Sequence, residues 1–399
     1  MGRSKSTNTA DQQVPDVVAN TYPYDAWHDR YQEYYQTGLR HYLQLCGSNL
    51  RVLHHSHFPS FLKRLRRVRD ASTFRSLLRR GSGPIGQSLD WVARHTGAQQ
   101  APFAPLVGEY SFELNPHCKT KVCIDAHDAG TVNSPALLQS SDVYLKTNYW
   151  KDQEYDPRVR PFYVCNPIVL SHLPCLTAMR GLSPVFDLCF VVRVWGGPTG
   201  MEGVEHCLRL LEAVAKVRAK KFLLAELLIG DTAEQARRLR MSGIPITTRR
   251  IDLQQLWDVT ARSRFNISRL GNHHCMSWRM TDLLALGACT VLDQHPKTVW
   301  PVSLRPNHHY YSLDATTSNA DPVAPDESYG RIPERLEELL SRRQLYEETR
   351  RHSAEYFDHC MHPLQIGRQI YELVEESVSN HGMPRASVRA SSLEHLVVS

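Results

Sequence analysis

The sequence predicts an α/β protein built from two doubly wound domains, and three observations support this. At 399 residues the chain exceeds the roughly 250–300 at which a single hydrophobic core stops growing. Its second half alternates β-prone apolar runs with amphipathic helical stretches, the pattern of a parallel sheet with helices on both faces. The stretch 265–293, FNISRLGNHHCMSWRMTDLLALGACTVLD, reads as strand, glycine-bearing loop, helix and strand.

The elements follow in order. A polar start over 1–20 predicts a disordered tail without a secretory h-region. Gly2 with Ser6 fits a myristoylation pattern only loosely. The aromatic-rich 21–45 predicts a packed helix, and 51–54 a short strand. A helical piece is expected within 82–104. Further strand-like elements are expected at 121–124, ending at Asp125, at 141–145 and at 162–164.

A domain boundary is expected at 181–184. Beyond it, strands are predicted at 186–194, 222–229 and 244–248, with helices at 204–217, 232–242 and 253–262. The polar loop 319–329 precedes helices at 332–340 and 342–379, the second broken or kinked by Pro363. The expected organisation is a tail (1–20), a first α/β domain (21–182), a second (183–341), a C-terminal helix (342–380) and a second tail (381–399).

With 42% hydrophobic and 22% charged residues, the composition is that of an ordinary globular protein. No apolar run approaches the roughly 18 residues of a membrane span. The scattered cysteines, several in apolar runs such as Cys165, Cys189 and Cys289, suit reduced buried thiols and a cytoplasmic setting. The histidine clusters at 54–57, 273–274 and 308–309 match no zinc spacing. Net charge is +6, and 63–80 carries eight basic residues against one Asp. That stretch reads as a solvated helix face or as a surface for an acidic partner such as nucleic acid or anionic lipid.

The chemistry concentrates at strand ends. A strand followed by a glycine loop and a helix start holds phosphate well, because the first helical amides lack internal partners. Gly271, Asn272 and Ser277 fit such a loop, with Ser277 also a natural N-cap. Arg279 supplies a guanidinium fork for a diphosphate, and Asp282, one turn on, a carboxylate that could accept from a ribose. Alternatively, the two form a local ion pair at i, i+3. Arg193, before the turn at Gly196 and Gly197, ends the strand that opens the second half and is placed to meet a phosphate. Asp125, His127 and Asp128 follow a strand in CIDAHDAG and form a candidate general-base cluster, with an Asx turn as the plainer alternative. Lys146, in DVYLK, is a candidate phosphate contact.

The order HDAG, SDVYLK, FVVRVWGG and SRLGNHHCMSWRMTDLLALGACTVLD resembles the exostosin-type glycosyltransferases of the GT-B architecture, across about residues 120–300. Asp282 stands where Glu is usual, and Thr290 where Pro is usual. The resemblance implies two Rossmann-like domains facing a cleft. It implies that Arg193 and Arg279 hold a nucleotide diphosphate, that Asp282 lies near the ribose, and that His127 or Asp128 serves as the acceptor-side base.

The reading is therefore a metal-independent glycosyltransferase with no cofactor and a nucleotide sugar as co-substrate. The acceptor is a glycan, a lipid-linked sugar or a nucleic acid, and the oligomeric state is left open. One alternative is a glycosyltransferase acting on hydroxylated DNA bases. Another is a non-catalytic nucleotide- or glycan-binding module with the same fold.

Overall fold

The computed structural model of the chain describes residues 16–21, 31–54, 106–115, 118–194, 201–227, 233–271, 274–317 and 323–380. The basic stretch 63–80, the helical piece expected within 82–104, the tail at 381–399, and Gly196 and Asn272 lie outside the described residues.

The first sheet contains β1 (Asp16–Thr21), β2 (Leu50–His54), β3 (Val107–Asn115), β4 (Cys118–Asp125), β5 (Val143–Lys146) and β7 (Val159–Pro161), in the order β2-β1-β3-β4-β5-β7. Strands β4, β5 and β7 run parallel, as do β1 and β2, but β3 is antiparallel to both β1 and β4. The first sheet is thus mixed, parallel at β4, β5 and β7 and antiparallel around β3. Part of the expected N-terminal tail is strand, because Val17 and Ala19 insert into the core while 1–15 lie outside the described residues. The strand expected at 162–164 falls three residues earlier, at β7.

Helix α1 (Glu33–Leu45) buries Tyr34, Tyr35, Leu39, Tyr42 and Leu43 on one stripe, so its apolar spacing explains its docking. Next come α2 (Pro135–Ser140), capped by the Ser134 hydroxyl, the short β6 (Tyr149–Trp150) and α3 (Leu173–Met179).

The second sheet contains β8 (Phe186–Arg193), β9 (Lys221–Glu226), β10 (Ile246–Thr247), β11 (Ser263–Ser268), β12 (Thr290–Leu292) and β14 (Tyr310–Ser312). Its order is β10-β9-β8-β11-β12-β14, with every pairing parallel. Numbered within the domain this is 3-2-1-4-5-6, the Rossmann order, and the strand order reverses between β8 and β11. Strand β8 is apolar from Leu188 to Val192 because both faces are covered there. Leu188 and Phe190 pack towards α4 (Met201–Ala215), while Cys189 and Val191 pack towards α6 (Leu253–Ala261). Helix α5 (Ala233–Met241) links β9 and β10.

Helix α7 (Arg279–Ala285) ends at Gly287, which has φ +58°. There the amide of Gly287 donates to Leu284 O and that of Ala288 to Leu283 O, the paired bonds of a Schellman cap.

After β13 (Thr298–Val299) and β14 come α8 (Asp326–Ser341), α9 (Arg343–Tyr356), a π-turn at Phe357–Met361 and α10 (Pro363–Asn380). Pro363 therefore opens a helix, at a position where its missing N–H costs nothing. Helix α10 returns to the first domain and crosses α1 where Gly38 and Gly367 meet backbone to backbone. One apolar core joins α1, the first sheet, α7 and α10 through Tyr35, Ile124, Met280, Leu284 and Ile370. Among the described residues no helix is long and apolar enough to cross a membrane.

Candidate functional site

Strand β4 ends at Asp125, which is fully buried. Its Oδ1 accepts from the amide of His127 at 3.0 Å, an Asx turn. Its Oδ2 accepts from the amide of Asn133 at 3.0 Å and from the Tyr144 hydroxyl at 2.9 Å. Lys146 Nζ completes the set at 3.3 Å. Asp125 thus organises the HDAG loop with both oxygens engaged.

Lys146, expected as a phosphate contact, has a side chain with no exposure. Its ammonium donates to His127 O at 2.9 Å, and burial lowers its pKa against the pull of Asp125. Its position is inside the loop's foundation rather than at an open surface.

His127 and Asp128 are half-buried on that loop. His127 Nδ1 accepts from the amide of Ala129 at 3.2 Å, which puts the proton of the neutral ring on Nε2. Gly130 passes under the Trp150 ring, where a Cβ would collide with the indole.

The opposite wall comes from the second sheet. Arg193 ends β8, and its Nε and Nη2 both donate to Glu226 Oε2 at 3.3 Å. The amide of Gly271 donates to Cys275 O at 2.9 Å, and a Cβ there would come within 2.6 Å of Cys275 Sγ, which would have to shift. Ser277 Oγ accepts from the amide of Arg279 at 3.3 Å. Arg279 Nη1 donates to Val191 O on β8 at 2.6 Å, while its Nη2 is buried with no partner.

Asp282 is placed differently from the expectation. Its Oδ1 accepts from Asn166 Nδ2 at 2.7 Å and its Oδ2 from Trp257 Nε1 at 3.1 Å. Burial raises its pKa to about 6. Both oxygens are engaged inside the protein, so the ribose contact gives way to a joint between α7, α6 and the first domain. Arg279 and Asp282 do not form the local ion pair that their spacing allows; their guanidinium and carboxylate turn to different partners.

The two walls are stitched together. Asn148 Nδ2 donates to His127 O at 3.2 Å, and Asn148 Oδ1 accepts from the Thr298 hydroxyl at 3.1 Å. Thr298 Oγ1 in turn accepts from the amide of Met276 at 3.2 Å. Around this chain of bonds β6 pairs antiparallel with β13. Burial pushes the Cys275 thiol well up, and Asp128 and Lys146 lie close enough to act on it as well, Asp128 adding to the rise and Lys146 opposing it. The HDAG turn and the 271–279 loop are therefore neighbours.

Sequence reasoning missed three features at the carboxyl ends of β11, β12 and β14. Arg269 follows β11 directly, and its Nη1 donates to Gly203 O at 3.3 Å and Cys207 Sγ at 2.8 Å. Asp293, just after β12, holds the amides of Leu270 and Gln294 at 3.0 and 3.1 Å and pairs with His206 at 3.1 Å. Gln294 donates to the Thr317 hydroxyl at 2.9 Å, beside His274, which has φ +58°. A signal for Arg269 was present, since it ends a strand as Arg193 does. Among the described residues no group of three or more His, Cys, Asp or Glu is placed to hold a metal.

No protein-family model and no curated protein matches this chain. Solved structures do show similarity. A glycosyltransferase from Rickettsia africae aligns over 90% of this chain and 98% of its own at 10% identity, with TM-score 0.47. Anabaena HepE in complex with UDP-glucose aligns over 59% of this chain and 64% of its own at 11% identity, with TM-score 0.38. The pneumococcal O-GlcNAc transferase GtfA in complex with UDP and GlcNAc aligns over 60% and 46% at 12% identity, with TM-score 0.39. At such similarity no residue role transfers to this chain.

Proposed function

We propose that this chain is a glycosyltransferase of GT-B-like architecture, transferring a sugar from a nucleotide-sugar donor to an acceptor hydroxyl. The observation that carries the reading is the hydrogen-bonded chain from His127 O through Asn148 and Thr298 to the amide of Met276. It holds a strand-end turn bearing His127 and Asp128 against the loop that leads to Arg279. A general-base candidate and a diphosphate-binding candidate thus lie on two loops bonded to each other, the second of them at the carboxyl end of a Rossmann-ordered sheet.

In this reading the donor's diphosphate lies at the β8–β11 crevice, with Arg279 offering the guanidinium N–H that has no protein partner. Arg193 joins it to the extent that phosphate competes with Glu226. The acceptor oxygen attacks the anomeric carbon as the bond to the diphosphate breaks. Asp128 takes the hydroxyl proton, and His127, with its ring proton on Nε2, donates a hydrogen bond to the acceptor. Guanidinium groups offset the leaving charge, so no metal is required. Asp125, Lys146 and Asp282 position the loops that carry these groups. The acceptor class is a glycan, a lipid-linked sugar or a nucleic acid. The free thiols, among them Cys165, Cys189 and Cys289, suit a reducing compartment, and we place the protein in the cytoplasm.

The test is a thermal-shift screen against nucleoside diphosphates, followed by nucleotide-sugar turnover with and without EDTA. Binding should raise the midpoint by mass action. Turnover should survive EDTA and vanish in Arg279→Ala. Binding without turnover across an acceptor panel would favour the non-catalytic module.

A further inference from the structure

Three histidines meet where the segment 305–309, which leads into β14, lies on α9. The rings of His308 and His352 stack with centroids 3.6 Å apart and planes 22° apart. His309 meets His308 edge-on at 4.5 Å and packs against Tyr356 at 4.9 Å. A guanidinium closes each end of the stack. Arg305 Nη2 lies 3.3 Å from His308 Nε2, and Arg351 Nη2 lies 2.9 Å from His352 Nε2. The third ring, that of His309, meets the amide of Arg305 at 2.9 Å through Nδ1.

Each of these contacts fixes a proton. Guanidinium and amide N–H groups only donate, so the imidazole nitrogen facing each of them must offer a lone pair. All three rings are neutral in this arrangement. On His352 the ring proton then sits on Nδ1, which is buried without a hydrogen-bond partner. A second proton on any of the rings would set N–H against N–H.

The surroundings oppose that proton as well. Burial lowers the pKa of His308, and His352, Arg305 and Arg351 lower it further; Glu355 pulls the other way but is engaged by Arg351 at 3.0 Å. Burial, aided by His308, Arg305 and His352, lowers that of His309 from 6.5 to about 4. A released ring takes up its proton near 6.5. The closed arrangement is therefore fully favoured above that value and loses ground as pH falls towards about 4.

The segment is held to α9 by little else. The Ser353 hydroxyl donates to His309 O at 3.4 Å, and the Tyr356 hydroxyl donates to Val302 O. Strand β14 itself has separate anchors, in its pairing with β12 and in the contact of the Tyr311 and Thr349 hydroxyls at 3.2 Å.

We propose that His308, His309 and His352 form an acid-opened latch, whose protonation parts the ring stack and releases the segment 305–309 from α9. Opening is local, because β14 keeps its own anchors. It frees the segment that runs back to Trp300, which packs on Tyr163 of the first domain, and to β13, which pairs with β6.

Hydrogen exchange on the full chain tests this, read at the amides of Asn307, His308 and His309, which donate to Tyr310 O and Arg305 O. After correction for the intrinsic rate, opening should rise by up to about 10-fold per pH unit for each ring that titrates, between about pH 6.5 and 4, while the amides of β8 stay protected. A triple variant, His308→Phe, His352→Phe and His309→Asn, keeps a stacked pair and an acceptor for the Arg305 amide but cannot titrate. It should stay closed across the same range. Protection that does not change with pH in wild type, or an equal rise in the triple variant, would overturn the latch. So would loss of protection in β8 at the same pH, which would mark global acid unfolding. Should the triple variant fail to fold, an unchanged pH slope in His309→Asn alone would overturn it too.

Discussion

Asp125 and Lys146 form an ion pair at 3.3 Å in which neither side chain is exposed. The pair ends two adjacent parallel strands, since Asp125 on β4 stands opposite Lys146 on β5. It anchors the HDAG loop from below, through the His127 amide on one side and the His127 carbonyl on the other. Lys146→Met leaves Asp125 buried without its counter-ion and should cost about 3–5 kcal/mol in denaturant unfolding. Replacing both partners with apolar residues should cost less than the sum of the single changes. Additive losses would show that the pair is not coupled.

Asp282 supplies a pH dependence with a definite sign. Burial raises its folded pKa from 3.8 to about 6, so the folded state holds the proton more tightly than the unfolded chain does. The group therefore contributes stability that is fully present below the unfolded value and is lost as pH rises through about 6. The groups facing it are Arg279, Trp257, Asn166 and Tyr34. Asp282→Asn removes this term. Relative to that variant, wild type should lose roughly 3 kcal/mol of stability across the window, a little over two pH units at about 1.4 kcal/mol each. Parallel stability curves for the two proteins would refute the assignment.

The α1–α10 crossing permits no side chain at its centre. A Cβ on Gly367 would collide with the carbonyl of Gly38, which is backbone and cannot swing aside. Gly367→Ala should destabilise by about 1–3 kcal/mol or more through overpacking. It should also make α10 the first segment cut in limited proteolysis. Wild-type midpoint and cleavage pattern would mean that the helices separate without cost.

On the HDAG loop, the tautomer set by Ala129 separates two residues that composition alone cannot rank. Asp128→Asn should lower turnover by about 10²- to 10⁴-fold, the usual range for losing a general base. His127→Asn should weaken acceptor binding more than turnover at saturating acceptor. The reverse pattern, with an acid limb that follows an imidazole, would give the base role to His127.

How much of this was legible in the sequence depends on the range of the forces involved. Strand β12, at Thr290–Leu292, was legible as the strand that closes 265–293, because a short β-prone run follows a glycine cap. The βα alternation of the second domain was equally local. Strand β3 escaped notice: GEYSFELN mixes glycine and two glutamates with its aromatics, and its place in the sheet depends on pairing with β1, nearly a hundred residues earlier. The orientation of Asp282 escaped for the same reason, since Trp257 and Asn166 lie 25 and 116 residues away. Helical spacing showed that Arg279 and Asp282 could share a face, but not that burial would draw the carboxylate inward.

The central claim is that a nucleotide diphosphate binds where β8 and β11 part. A crystal structure of the protein grown with a nucleoside diphosphate at millimolar concentration tests it most directly. The account predicts phosphate oxygens within hydrogen-bond reach of the Arg279 guanidinium, with the HDAG loop facing them. Phosphates bound elsewhere, or a crevice left empty under saturating nucleotide, would contradict it.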